Sequence, residues 1–136
     1  QMCIRDRVLV DETIIGVPYG DADDFESKYG VVFDTVTKQS RPFDIEIGYG
    51  GKYRFKCGIA YKGRAIFLPS GTPGLPIISV ATDGTFHATR TDNSKLFGRP
   101  IIYKEKLYTL VFNTIDNSHS LVEIDEWLRV NEVTKI

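Results

Sequence analysis

The chain has 136 residues, of which 42% are hydrophobic and 26% are charged, and its formal net charge is −1 at pH 7. This length allows one domain with a real core and is too short for two. The balanced charge and the scattered lysines and arginines predict neither a nucleic acid nor a membrane surface as a partner. The longest uncharged run, residues 65–82, holds three prolines and two glycines, which a membrane-spanning helix would not tolerate.

The first seven residues, QMCIRDR, resemble translated adapter sequence, so we expect the native part of the chain to start after them. From there one pattern recurs along the chain. Ile15, Ile66 and Tyr108 occupy equivalent positions in it, and each is followed by a second apolar run that ends in a polar turn. A repeat of this kind predicts one domain built from similar units, which we place at residues 8–47, 53–91 and 97–136.

Each unit holds four short runs rich in β-branched and aromatic residues, which is typical of strands. In the second unit these runs are residues 55–61, 64–69, 76–81 and 85–90. Two-residue connections join the first two runs of each unit: Asp11-Glu12, Lys62-Gly63 and Lys104-Glu105. Such short connections predict tight hairpins, so each unit is expected to be a four-stranded antiparallel sheet.

The pattern of an apolar strand, x-Gly, Arg/Lys-x-Ile/Tyr and then Ile-x-Val resembles β-propeller repeat proteins with kelch-like or quinoprotein-like blades, over nearly the whole chain. Two features depart from the known repeats: only one Gly-Gly pair occurs, at Gly50-Gly51, and Trp127 is followed by Leu128 rather than by aspartate. The resemblance implies an all-β fold, a partial β-propeller of about three blades. A propeller closes with about four to eight blades, so we expect uncovered blade faces and self-association of the isolated segment.

The C-terminal segment permits a second interpretation. Its apolar residues can also be placed at helical spacing, with charged residues on the opposite side: Leu121, Ile124, Trp127, Leu128 and Val133. A helix there would make the protein an α+β domain.

The longer connections, residues 19–28, 44–54, 70–75, 91–97 and 112–119, are expected to emerge on one face of the blades, where function concentrates. Two of them supply the candidate binding residues, which are Asp21, Asp23, Asp24, Asp44, Glu46, Tyr49, Tyr53 and Arg54. The three aspartates of the first loop alternate as in a cation-binding loop but lack the glycine and glutamate of an EF-hand. A solvated acidic turn is the alternative, and we predict no metal site.

The second loop combines carboxylates with tyrosines and an arginine, a mixture that suits a carbohydrate or a protein ligand. Because Asp44 and Glu46 are two residues apart, an ordinary solvated strand edge explains them equally well. His87 lies in a predicted outer strand, where we expect it on the surface, and His119 begins a strand beside Ser118. The spacing of the two histidines fits neither a metal site nor a catalytic pair.

These observations predict a non-catalytic scaffold that binds a protein or carbohydrate through the long loops, without a cofactor. The alternative is a fragment of a propeller enzyme, such as a glycoside hydrolase, lyase or oxidoreductase, with part of its catalytic residues in further blades. No catalytic residue is identifiable from the sequence.

Overall fold

A computed structural model describes residues 4–18, 29–45, 55, 57–69, 76–91 and 94–136. Within these ranges the chain forms β-strands and turns and contains no helix, so no helix there could cross a membrane. The strands are β1 Ile4–Val10, β2 Thr13–Pro18, β3 Tyr29–Asp34, β4 Ser40–Asp44, β5 Cys57–Tyr61, β6 Arg64–Leu68, β7 Ile77–Val80, β8 Phe86–Thr89, β9 Lys95–Phe97, β10 Ile101–Tyr103, β11 Lys106–Asn113, β12 Ser118–Ile124 and β13 Val130–Lys135.

The strands form three antiparallel sheets in which neighbours in sequence are neighbours in space. The first sheet has the order β1-β2-β3-β4, the second β5-β6-β7-β8, and the third β10-β11-β12-β13, with β9 added through its pairing to β11. The prediction of an all-β, partial propeller-like fold with three four-stranded blades is confirmed, with one extra short strand in the third sheet.

The alternative of a C-terminal helix is wrong. Residues 118–124 form β12, along which Ser120, Val122 and Ile124 are buried in strict alternation, and residues 130–135 form β13. The helical spacing is a coincidence, because Leu128 reaches the core from the turn between these strands rather than from a helix face. The long connection expected at residues 112–119 is also shorter than predicted, since β11 and β12 leave only residues 114–117 between them.

The pairing registers show that the three sheets are built alike. Ile15 pairs with Val32 in the first sheet, Ile66 pairs with Ser79 in the second, and Tyr108 pairs with Glu123 in the third. The first two strands of each sheet are joined by the two-residue turns predicted from the sequence. In the second and third sheets both turn residues have positive φ, 51° and 75° in one and 49° and 65° in the other, as a type I′ hairpin requires.

Two apolar layers hold the sheets together. The first joins the first and second sheets through residues such as Val8, Ile15 and Phe67, and the second joins the second and third sheets through residues such as Leu68 and Leu107. The second sheet is therefore covered on both faces, and its central strands β6 and β7 are buried almost throughout. Burial on both faces explains why these strands read as continuous apolar runs instead of alternating ones.

Candidate functional site

The candidate binding residues predicted from the sequence lie almost entirely outside the described part of the chain. Seven of the eight lie outside the described ranges: Asp21, Asp23, Asp24, Glu46, Tyr49, Tyr53 and Arg54. Asp44 is the last residue of β4, is exposed, and pairs with Tyr29 across the sheet edge. The predicted loop face therefore stays a prediction.

Both histidines lie on the surface, as expected for His87. His87 is an exposed residue of β8, and His119 is an exposed residue of β12 whose ring centroid is 4.9 Å from that of Phe112. Among the described residues no group of three or more histidine, cysteine, aspartate or glutamate side chains could hold a metal ion.

A groove of about 520 Å³ lies between the second and third sheets, and it combines an aromatic side chain with charged ones. It is lined by Arg64, Ser79, His87, Ala88, Thr89, Glu126, Trp127 and Leu128. A second depression of about 330 Å³ adjoins it and shares Glu126 and Trp127, so the indole forms the ridge between the two. We refer to the two depressions and this ridge as the Trp127 groove.

The ridge stands on the turn between β12 and β13, which Asp125 organises. One carboxylate oxygen of Asp125 accepts the backbone N–H groups of Trp127 at 3.0 Å and of Arg129 at 2.9 Å. The other accepts the Arg129 Nε–H at 2.8 Å and the Asn131 Nδ2–H at 3.3 Å. A carboxylate that accepts this many hydrogen bonds fixes the backbone on both sides of Trp127.

Electrostatics favour the ionised form of this carboxylate. Partial burial of Asp125 acts to raise its pKa, but the hydrogen bonds from Arg129, Asn131 and Trp127 outweigh burial and hold the pKa below its usual value. Two further turn aspartates behave similarly: hydrogen bonds from Thr85 lower the pKa of Asp83, and hydrogen bonds from Ser118 lower the pKa of Asp116.

The turn is also fixed from inside the protein. Leu128 has a φ of 64°, its N–H donates to the Asp125 carbonyl oxygen at 2.9 Å, and its side chain is buried in the second apolar layer. From the second sheet, the hydroxyl of Thr89 donates to the Trp127 carbonyl oxygen at 3.4 Å. Trp127 thus has a held backbone while 65% of the residue remains exposed to solvent.

Charged and polar side chains border the indole on both sides. The Arg129 guanidinium lies 5.1 Å from the indole centroid, close enough for a cation–π contact. On the floor of the larger depression, Arg64 is held by Ser79, to whose hydroxyl its Nε–H donates at 2.6 Å and to whose carbonyl oxygen its Nη2 donates at 3.0 Å. In the smaller depression, Lys62 and Glu105 come from the facing hairpin turns of the two sheets.

The hydroxyl of Tyr61 holds those hairpin turns together, because it donates to the Glu105 carbonyl oxygen at 2.9 Å across the sheet boundary. A comparable groove between the first and second sheets, of about 490 Å³, has no aromatic lining residue among those described: Thr13, Val32, Asp34, Thr37, Gln39, Ser40, Arg41 and Thr82. The position of Trp127 explains the difference. The equivalent residue in the first sheet is Val36. Its N–H donates to the Asp34 carboxylate at 2.8 Å, just as the N–H of Trp127 donates to the Asp125 carboxylate.

Sequence reasoning did not predict this site. The sequence pattern places Trp127 in the helix alternative and places Arg64 and His87 in strands, and it indicates no binding role for any of the three. One signal could have located the ridge: the single tryptophan of the chain follows an Asp-Glu pair at the place where the other units turn.

Comparisons with known proteins bear on the fold. No family model and no curated protein matches the chain. A crystal structure of a D477G ACO/RPE65 chimera, a β-propeller, matches with a TM-score of 0.50 and 13% sequence identity over 98% of this chain. The match covers 36% of the chimera, so the chain spans about a third of that structure's length. At this identity the likeness shows the fold alone, and it agrees with a propeller-like arrangement of antiparallel sheets.

Proposed function

We propose that the chain is a non-catalytic binding scaffold that recognises a peptide segment of a protein partner in the Trp127 groove. One observation carries the proposal: the indole of Trp127 is largely exposed although its backbone is fixed from both sides. Tryptophan and arginine are the residues most enriched at the energetic centres of protein interfaces. An anchor that is already ordered loses little conformational entropy when a partner binds.

The surroundings of the indole suit a peptide. Its flat face offers apolar area, while Arg64, Lys62 and Glu126 on either side offer hydrogen-bond donors and an acceptor for backbone and side-chain groups. A fixed aromatic centre with a polar rim is the usual anatomy of a protein interface. The groove lies on the turn side of the sheets, not among the long loops where the sequence placed binding.

The single tryptophan of the chain makes the proposal directly measurable. A library of random linear peptides that lack tryptophan is selected on the wild-type protein alone, and the affinity of each selected peptide for the wild type and for every variant is measured by isothermal titration calorimetry. The selected peptides are then titrated while the intrinsic fluorescence is recorded. Because no other residue contributes tryptophan emission, a shift toward shorter wavelength on binding reports that the peptide covers this indole.

We expect Trp127→Ala to weaken binding about 30-fold or more, since truncating a central interface residue costs at least about 2 kcal/mol. Val36→Ala is the matched control, because Val36 holds the equivalent turn position in the first sheet and is also exposed; this variant should bind as the wild type does. Peptides that bind without changing the tryptophan emission, or that bind both variants equally, would refute the proposal.

Three finer expectations belong to the same proposal. These are the kelch-like or quinoprotein-like type of the blades, a ring completed by blades beyond the three described, and a second binding surface at the long loops around Asp44. A carbohydrate ligand is tested by the same fluorescence titration with a panel of oligosaccharides. The enzyme alternative stays a prediction from the sequence, since seven of the eight candidate binding residues lie outside the described ranges.

A further inference from the structure

The third sheet has an apolar face that nothing in the described structure covers. One face of this sheet packs on the second sheet through Leu107 and the other residues of the second apolar layer. By strand alternation and pairing, the opposite face carries the charged Lys106 and Glu123 beside a group of four apolar and aromatic residues, Ile101, Tyr103, Tyr108 and Leu110. Ile101 and Tyr103 are 58% exposed and Leu110 is 49% exposed. We call these four residues the outer face of the third sheet.

The equivalent face is buried in both other sheets. Applying the repeat and the pairing registers, the matching residues of the second sheet are Ile59, Tyr61, Ile66 and Leu68, all part of the second apolar layer or packed against it. The matching residues of the first sheet are Val8, Val10, Ile15 and Val17, all in the first apolar layer. In the first and second sheets this face is covered by the sheet that follows, whereas in the third sheet it is exposed.

In the first sheet it is the opposite face that no other sheet of the described structure covers. The face turned away from the second sheet carries Leu9, Ile14, Val31 and Phe33, joined by the pairs Leu9–Ile14 and Ile14–Phe33. Leu9 is 60% exposed. The equivalent central residues of the second sheet, Ala65 and Val80, are buried in the first apolar layer, on the face that meets the preceding sheet. We call Leu9, Ile14, Val31 and Phe33 the outer face of the first sheet.

We infer that the outer face of the third sheet docks on the outer face of the first sheet of a second copy of this chain. The two outer faces correspond to the two sides of a sheet-to-sheet contact that each copy already makes twice, between its first and second sheets and between its second and third sheets. In that contact the Tyr103 hydroxyl approaches the Asp11-Glu12 turn of the partner copy, as the Tyr61 hydroxyl meets Glu105 within one copy. Two copies supply six sheets, within the range of about four to eight in which propellers close. A head-to-tail contact either closes into a ring or grows into a filament, and with six sheets we expect it to close at a dimer.

The mass of the whole chain in solution, measured by sedimentation velocity at increasing protein concentration, tests this inference. The wild type should form a dimer and nothing larger. Leu110→Lys and Leu9→Lys each place a charge in an apolar contact, so each should raise the dimer Kd by at least about 100-fold. Ile115→Lys, at an exposed position in the turn between β11 and β12, is the control and should leave the dimer unchanged.

Mixing the two disrupted variants identifies the geometry. Leu110→Lys keeps an intact first sheet and Leu9→Lys keeps an intact third sheet, so an equimolar mixture should recover a dimer through one remaining contact. If Leu110→Lys disrupts the dimer while Leu9→Lys does not, and mixing recovers nothing, third sheets pair with each other and the inference is overturned. A monomeric wild type, or species that grow without limit, overturns it as well.

Circular dichroism shows whether each variant keeps its β-sheet signal, and Tyr103→Ser replaces Leu110→Lys if that variant loses it. Neither Leu9 nor Leu110 lines the Trp127 groove. Peptide binding at Trp127 is therefore expected to survive in both variants, which separates a failure of this inference from a failure of the proposed function.

Discussion

Leu128 combines two properties that rarely occur together, a buried apolar side chain and a left-handed backbone. Its φ is 64° and its side chain is buried in the second apolar layer. The second sheet places Gly84, with a φ of 90°, at the same point of its turn, where the N–H likewise donates three residues back to the carbonyl of Ala81. Glycine at position 128 would therefore suit the backbone, whereas leucine suits the core.

The backbone requirement and the core requirement can be separated by replacing Leu128 first with alanine and then with glycine. Leu128→Ala loses about 2–5 kcal/mol of stability through the cavity it leaves, and it keeps the backbone strain. Leu128→Gly loses the same side chain but removes about 1–2 kcal/mol of left-handed strain. The greater freedom of glycine in the unfolded chain costs about 0.4–1 kcal/mol. The glycine variant should therefore be more stable than the alanine variant by about 0.5–1 kcal/mol.

Leu107 supplies the control, because it is buried in the same layer at an ordinary φ in the middle of the third sheet. There Leu107→Gly should be less stable than Leu107→Ala by about 0.5–1 kcal/mol. Urea unfolding followed by circular dichroism measures all four variants. If alanine is the better residue at both positions by the same margin, the Leu128 backbone carries no strain and the reasoning is refuted.

Three further predictions concern single contacts. Tyr61→Phe should lower the free energy of unfolding by about 1 kcal/mol, because it removes the hydrogen bond between the second and third sheets. Tyr103→Phe is the control and should leave the free energy of unfolding unchanged. Both variants are made in the Leu9→Lys background, in which the proposed dimer contact of Tyr103 is disrupted. Gly63→Ala should lower the free energy of unfolding by about 1 kcal/mol or more, because the φ of Gly63 is 75°. No atom crowds the new methyl group, so this loss comes from the backbone conformation alone. The pKa of Asp125 is lower in the folded protein than in the unfolded chain, so its stabilisation should be complete above pH about 4 and lost as the pH falls further. Urea unfolding between neutral and acid pH should show a smaller acid-induced loss for Asp125→Ala than for the wild type.

Each of these has a result that contradicts it. Equal losses for the two tyrosine variants would mean that the hydroxyl contact between the sheets contributes nothing. Gly98→Ala is the control for the turn glycine, because its methyl group would meet only ordinary contacts, the closest at 3.5 Å from the Leu110 carbonyl oxygen. A loss at position 98 as large as at position 63 would show that φ is not the cause. Parallel pH profiles for the wild type and Asp125→Ala would exclude the carboxylate as the source of acid sensitivity.

Local signals made the sheets predictable. The Lys62-Gly63 turn and the runs on either side of it depend on neighbouring residues alone, and β5 and β6 form where the sequence places them. The repeat of this hairpin at Ile15 and Tyr108 then predicted the other sheets. The C-terminal helix alternative failed because spacing alone does not distinguish a helix from a strand followed by a turn whose Leu128 points inward.

The groove was not predictable from the same signals. Trp127 is fixed by Asp125 next to it but also by Thr89, 38 residues away in another sheet. Arg64 lines the groove because its guanidinium is turned toward Ser79, a partner set by strand register. Contacts between sheets leave no periodic trace in the sequence. The loop residues that did show a chemical pattern, apart from Asp44, lie outside the described ranges.

The central claim is that three equivalent sheets stack in chain order, with two separate apolar layers between them. Nuclear Overhauser effects between methyl and aromatic protons test this most directly. We predict one set of contacts that links Val8 to Phe67 and a separate set that links Leu68 to Leu107, with no contact between Val8 and Leu107. A direct contact between Val8 and Leu107 would show that the first and third sheets share one core, and it would contradict the account.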